Sequence, residues 1–111
     1  MDLQLSTRQE GDVAVVSAAG EIDVFTAPDL DSHLASLQSS GSTNLVVDLT
    51  RVAFLDSTGL GVLVKALKRA RDTGGWIHLV VTTDRIRKIF DITGLDASMP
   101  IFDTVEAAVA S

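Results

Sequence analysis

The chain has 111 residues, with 9 Lys and Arg against 15 Asp and Glu, and a formal net charge of −6. This length allows one domain with its own hydrophobic core, which we expect to span residues 1–111. The absence of cysteine excludes disulfides, thiol catalysis and cysteine-ligated metal sites. His33 and His78 lie far apart in the sequence, so we expect no metal and no cofactor. The acidic total opposes direct nucleic-acid binding, because phosphates repel it.

The sequence has no apolar stretch of the ~18–20 residues that a membrane span requires. Its first residues lack the basic start and apolar run of a secretion signal. We therefore expect a cytoplasmic protein without a membrane partner.

The first half of the chain predicts a hairpin, a helix and a third strand. Residues 3–7 alternate apolar and polar side chains, and residues 13–19 are apolar on both faces, as in a strand covered on each side. The turn signal Glu10-Gly11-Asp12 separates them. A helix begins at Thr26 or Ala27, and residues 45–49 form the next strand, parallel to the second. The apolar stripe of this helix consists of leucines at helical spacing: Leu30, Leu34 and Leu37.

The second half continues the alternation. The pattern predicts a helix over 57–73, a strand over 76–81, a helix over 84–93 capped by Asp84, a short strand over 100–102 and a last helix from 103 or 104. Val105 and Val109 are the predicted buried anchors of the last helix. The fold class is therefore single-domain α/β, with a mixed sheet of four to five strands packed against about four helices.

Charge is unevenly distributed along the chain. Residues 1–56 hold 2 basic and 9 acidic groups, whereas residues 57–111 hold 7 basic and 6 acidic groups. All seven basic groups of the second half fall between Lys65 and Lys88. Such a run is typical of solvated helix faces, and the alternative is a bipolar surface that orients a protein partner.

The segment from Val52 to Gly61 joins a strand to a helix and carries the polar residues. Asp56-Ser57-Thr58 places capping side chains where backbone N–H groups lack helical partners. Gly59 and Gly61 leave little bulk in the first turn, which favours close approach of another chain. The alternative is a simple helix cap whose glycines relieve crowding.

This segment lacks the residues that an enzymatic interpretation requires. Gly59-Leu60-Gly61 lacks the third glycine of a dinucleotide fingerprint, and no P-loop lysine follows. A serine nucleophile needs a base, and the predicted elements bring neither histidine to Ser57. We therefore expect no catalytic activity.

Ser57 is the predicted phosphorylation site. A phosphate at the start of a helix meets free N–H groups and the positive end of the helix dipole, so the fold should tolerate it. Glu21, Asp23 and Asp56 make the neighbourhood acidic if the loop after Gly20 lies beside Ser57. Added charge would then repel a partner that accepts the neutral hydroxyl.

Three stretches resemble the STAS domain family, specifically the bacterial anti-sigma factor antagonists. They are Gly20-Glu21-Ile22-Asp23, residues 46–49 leading into Phe54-Leu55-Asp56-Ser57-Thr58-Gly59-Leu60-Gly61, and Ile86-Arg87-Lys88-Ile89-Phe90 with Thr93-Gly94-Leu95. Their order and spacing extend the resemblance over nearly the whole chain.

The resemblance implies a partner-switching protein. Such an antagonist binds an anti-sigma factor, itself a serine kinase, and thereby releases a sigma factor for transcription. The kinase phosphorylates the residue that corresponds to Ser57, and a serine phosphatase reverses the modification; ATP and magnesium belong to the kinase. Thr58 stands where the family often has a second serine. The implied partner-binding residues lie in two stretches: Glu21, Asp23, Asp56, Ser57, Thr58, Gly59, Leu60 and Gly61.

Two other functions remain open at this point. One is a constitutive scaffold subunit in a stress-sensing or lipid-transport assembly. The other is weak nucleotide binding at the helix N-terminus that begins near Ser57, since such ends accept phosphates.

Overall fold

Five strands form one mixed sheet, in the order in which they follow along the chain. The computed structural model describes residues 2–111; Met1, where the predicted domain begins, lies outside the described residues. The strands are β1 (Leu3–Glu10), β2 (Val13–Ile22), β3 (Asn44–Leu55), β4 (Trp76–Val80) and β5 (Ile101–Phe102). β1 pairs antiparallel with β2, and the other neighbours are parallel. The predicted α/β class with a mixed sheet is confirmed.

Four helices cover the two faces of the sheet unequally. They are α1 (Ala27–Ser39), α2 (Ser57–Asp72), α3 (Asp84–Thr93) and α4 (Val105–Ala110). α1, α2 and α3 pack with one face of β2, β3 and β4 into the main core, which includes Leu34, Leu63 and Phe90. α4 covers part of the other face, over Val15 and Val46. None of the helices formed by residues 2–111 has the length and apolar composition that crossing a bilayer requires.

The cap of α3 and the buried anchor of α4 differ from the prediction. Thr83, with extended backbone, occupies the cap position of α3, and Asp84 is the first helical residue instead of the cap. In α4 the small side chain of Ala108 is fully buried, while Val105 and Val109 are half-buried. Of the three alanines of α4, Ala108 faces the sheet, while Ala107 and Ala110 are exposed.

β3 is much longer than the predicted strand over 45–49. The register between β2 and β3 shifts at two places: between the pairs Ser17–Asp48 and Ala19–Arg51, and between Gly20–Val52 and Glu21–Phe54. At each shift β3 contains one residue more than β2, which is a β-bulge. The bulges bend β3 so that its last residues still pair with the end of β2.

Both histidines take part in packing. His33 Nε2 lies 2.6 Å from the hydroxyl oxygen of Thr7, which joins α1 to β1. His78 is buried beneath α4, where Nδ1 lies 2.9 Å from the carbonyl oxygen of Ala108. Its ring stacks on Trp76 with the ring centroids 3.9 Å apart. These contacts give both imidazoles a structural role in the fold.

Candidate functional site

The ends of β2 and β3 bring the two predicted site stretches together. Glu21 pairs with Phe54 and Ile22 pairs with Leu55 in the parallel ladder. The backbone N–H of Asp56 then donates to the carbonyl oxygen of Ile22 over 3.2 Å. The loop after β2 therefore lies beside the start of α2, as the acidic-neighbourhood hypothesis requires.

Asp56 is the N-cap of α2. One carboxylate oxygen, Oδ1, accepts hydrogen bonds from the backbone N–H groups of Thr58, at 3.0 Å, and Gly59, at 3.2 Å. The hydroxyl of Thr58 donates to the same oxygen. The Thr58 hydroxyl bond holds the pKa of Asp56 below its ordinary value of 3.8; desolvation opposes this effect, and hydrogen bonds from backbone N–H groups reinforce it. Asp56 is thus a charged carboxylate that orders the first turn.

Ser57 is the first residue of α2 and is exposed. Its neighbour Thr58 is also exposed, but the Thr58 hydroxyl is engaged with Asp56. The first-turn N–H groups of Thr58 and Gly59 already donate to Asp56, which corrects the expectation that a phosphate at Ser57 would meet free N–H groups there. The positive end of the helix dipole is what favours an anion at this position. Ser57 therefore combines an accessible hydroxyl with a setting that tolerates negative charge.

Asp23 shapes the loop between β2 and α1 from within. It is only 6% exposed, and its Oδ1 accepts from the backbone N–H groups of Phe25, at 2.9 Å, and Thr26, at 3.0 Å. The hydroxyl of Thr26 donates to the carbonyl oxygen of Glu21 over 2.7 Å. Asp23 thus directs its carboxylate toward the amides of its own loop, and partner contact through Asp23 stays a prediction.

Gly59 and Gly61, in the first turns of α2, have different structural roles. A Cβ on Gly59 would lie 2.5 Å from Leu55 Cδ1 and 2.6 Å from Ile22 Cγ2. Gly59 therefore lets α2 pack on the strand ends, which corrects the interpretation that both glycines leave room for another chain. A Cβ on Gly61 would meet no atom within 4 Å. Leu60, between them, is half-buried against the main core.

An apolar groove beside Ser57 was not predicted from the sequence. The groove between α1 and α2, here called the α1–α2 groove, has a volume of about 600 Å³. Its lining includes Val24, Pro28, Thr58, Gly61, Val62 and Lys65. Next to it on the same loop, Phe25 is 83% exposed. The available signal was the adjacent apolar pair Val24-Phe25 in the loop before α1, outside the apolar stripe of that helix.

The comparisons with known proteins agree with this geometry. The STAS domain family model matches residues 4–108. The anti-sigma-B factor antagonist of Staphylococcus aureus (strain NCTC 8325 / PS 47) is 33% identical over 106 residues, which cover 96% of this chain and 98% of that protein. The crystal structure of an anti-sigma factor antagonist from Mycobacterium paratuberculosis matches with a TM-score of 0.90 at 30% identity, over 98% of this chain and 92% of that one. The chain therefore belongs to the STAS domain family, in the group of anti-sigma factor antagonists.

Proposed function

We propose that the chain binds an anti-sigma factor with serine kinase activity while Ser57 is unmodified, and that this binding releases a sigma factor. Phosphorylation of Ser57 by the bound kinase ends the interaction, and a serine phosphatase restores it. The protein acts in the cytoplasm, as a binding partner without catalytic activity of its own or direct contact with nucleic acid. The observation that carries the proposal is the exposed Ser57 at the first position of α2.

The switch is electrostatic. A phosphate adds a charge of about −1.5 to −2 to a position that carries none. Asp56 precedes it directly, and Glu21 lies half-buried at the adjacent end of β2. A partner surface that fits the neutral hydroxyl would have to bury this charge without compensation, which weakens the complex.

Glu21, Asp56, Ser57, Thr58 and Gly61 form the accessible part of the proposed partner surface. Asp23 and Gly59 are buried and support it, because Asp23 holds the adjacent loop and Gly59 seats α2 on the strands. Leu60 links this turn to the main core. Buried residues that are fixed by packing and hydrogen bonds therefore support the proposed partner surface.

Kinase assays with mass spectrometry test the proposal. The purified chain is incubated with each anti-sigma factor kinase of the source genome and ATP, and the phosphate is then located by peptide mapping. We expect the label on Ser57, its loss in Ser57→Ala, and its retention in the matched control Thr58→Ala. Absence of label from Ser57 with every kinase would reject the proposal.

Binding measurements test the charge mechanism. We expect Ser57→Ala to bind the kinase at least as tightly as the wild type, because the neutral surface is kept. Ser57→Asp adds one negative charge and should weaken binding by roughly tenfold, within the range of an uncompensated charge at an interface. Equal affinities of the two variants, measured by calorimetry, would contradict the mechanism.

A further inference from the structure

The loop between β2 and α1 exposes two neighbouring apolar side chains. Val24 is 58% exposed and Phe25 is 83% exposed. Single exposed apolar residues are common, but here Val24 lines the apolar α1–α2 groove and Phe25 follows it directly on the same loop. An exposed apolar patch that continues into a concave surface is typical of a protein interaction site.

The turn that carries Phe25 is held in place before any partner arrives. Asp23 accepts hydrogen bonds from the backbone N–H groups of Phe25 and Thr26, and the Thr26 hydroxyl is itself buried and bonded. Because this backbone is already ordered, binding through Phe25 loses little conformational entropy. Aromatic residues, Phe included, are enriched at protein interfaces relative to the rest of the surface.

Gly61 forms an open part of the groove. It lies inside α2, where glycine destabilises a helix relative to alanine. Since a Cβ at Gly61 would meet no atom within 4 Å, packing inside the protein does not require glycine there. Thr58 and Gly61 both line the groove and lie one and four residues after Ser57 on α2, so the groove adjoins the proposed phosphorylation site.

We propose that Phe25 and the α1–α2 groove are the docking surface for an apolar side chain of the kinase that phosphorylates Ser57. This inference rests on the proposed function. A stable protein interface covers about 800 Å² of each partner, so a kinase centred on Ser57 must cover the adjoining groove. At the rim, Lys65 Nζ lies 3.2 Å from Asp31 Oδ2, so the lysine charge is already compensated.

This proposal assigns the affinity for the kinase and the loss of that affinity on phosphorylation to different groups. Phe25 and the groove supply contact area that is present in both phosphorylation states. Ser57 supplies the charge difference beside Asp56. Variants of the groove should therefore change the KM of phosphorylation, while kcat, which depends on the position of the Ser57 hydroxyl, stays the same.

Steady-state kinetics of Ser57 phosphorylation test the docking surface. The probe is the anti-sigma factor kinase of the source genome that labels the wild-type chain most rapidly. We expect Phe25→Ser to raise KM by roughly tenfold or more, with kcat within about twofold of the wild type. The matched control is Ile92→Ser, because Ile92 is 72% exposed on α3, whereas Phe25 adjoins the groove-lining Val24 on the loop before α1. Its KM should equal that of the wild type, and both variants should keep the wild-type Tm.

Gly61→Ala separates docking from stability. Alanine favours the helix, so Tm should rise, whereas the added methyl group narrows the groove and KM should increase by at least about threefold.

A wild-type KM for both Phe25→Ser and Gly61→Ala would overturn the docking surface while Ser57 labelling still supports the proposed function. A wild-type chain that no kinase labels would overturn both. A concentration-dependent dimer that is abolished by Phe25→Ser in sedimentation would assign the groove to a second copy and overturn the proposal.

Discussion

Three donors converge on one oxygen of Asp56, which makes this carboxylate an organiser of the site. The hydroxyl of Thr58 and two backbone N–H groups all bind Oδ1. The geometry leaves Ser57 as the accessible hydroxyl of the first turn, since the Thr58 hydroxyl is already a donor to Asp56. At the scale of single residues, the cap therefore supports the proposal that Ser57, and not Thr58, is the phosphate acceptor.

The lowered pKa of Asp56 predicts a pH dependence of stability. A carboxylate whose pKa is lower in the folded state stabilises the fold at pH values above its unfolded-state pKa of 3.8. This contribution is lost as the pH falls through the folded-state pKa. Asp56→Asn keeps an oxygen acceptor for the cap but does not titrate. The difference in unfolding free energy between wild type and Asp56→Asn should be constant from about pH 5 to 8 and shrink below about pH 4.

Urea unfolding of the two proteins across this pH range measures the difference. Asp2→Asn is a suitable control, because Asp2 is exposed in the segment before β1. Its difference from the wild type should not follow the Asp56 profile. A wild-type and Asp56→Asn difference that stays unchanged down to pH 2 would show that the cap bonds do not depend on the carboxylate charge.

The two glycines of α2 show what a local sequence pattern can and cannot predict. The pattern correctly predicted a helix that begins near Ser57 with capping side chains at residues 56–58, and the structure identifies Asp56 as the cap. It did not separate Gly59 from Gly61, because their difference depends on Ile22 and Leu55, which reach Gly59 only after the strands have paired. Residue type and spacing carry no information about such a contact.

At the scale of elements, the length of β3 was underestimated because its buried positions change their period. The main-core residues of β3 are spaced by two residues at first and then by three: Leu45, Val47, Leu49, Val52 and Leu55. Strict alternation is the signal for a half-buried strand, and each bulge interrupts it. The predicted end at residue 49 therefore coincides with the first bulge. The part of β3 after this bulge carries the chain to Asp56 at the start of α2.

Asp48 stabilises the first bulge, and its removal should weaken the sheet. Its Oδ1 accepts from the backbone N–H of Thr50 over 3.0 Å. Asp48→Ala leaves this half-buried donor without its acceptor, so we expect a loss of about 1 kcal/mol in unfolding free energy. Asp48→Asn keeps an oxygen at the same place and should lose less. Urea denaturation measures both, and equal stability of Asp48→Ala and wild type would contradict the role of this bond.

At the scale of the whole molecule, the uneven charge of the sequence is partly compensated in space. Lys65 and Arg69 on α2 both contact Asp31 on α1, and Arg87 on α3 contacts Asp103. The basic run therefore meets acidic groups from other parts of the chain. Neither the solvated-face interpretation nor the bipolar-surface interpretation included these pairings. Lys65 and Arg69 reach Asp31 only when α1 and α2 pack together, and Arg87 reaches Asp103 only when α3 lies beside the segment after β5.

Phosphorylation should change recognition without changing the fold. The phosphate lies at the positive end of the α2 dipole, which favours it by about 0.3–1 kcal/mol, while the adjacent Asp56 opposes it. We therefore expect Tm to shift by no more than about 4–8 °C, the effect of 1 kcal/mol in a domain of this size. Calorimetry of the phosphorylated and unmodified chains measures this shift. In amide NMR spectra, changes should be confined to residues 21–26 and 55–61, which adjoin Ser57 through the ends of β2 and β3. Changes that extend to β4 and α4 would instead indicate a conformational switch.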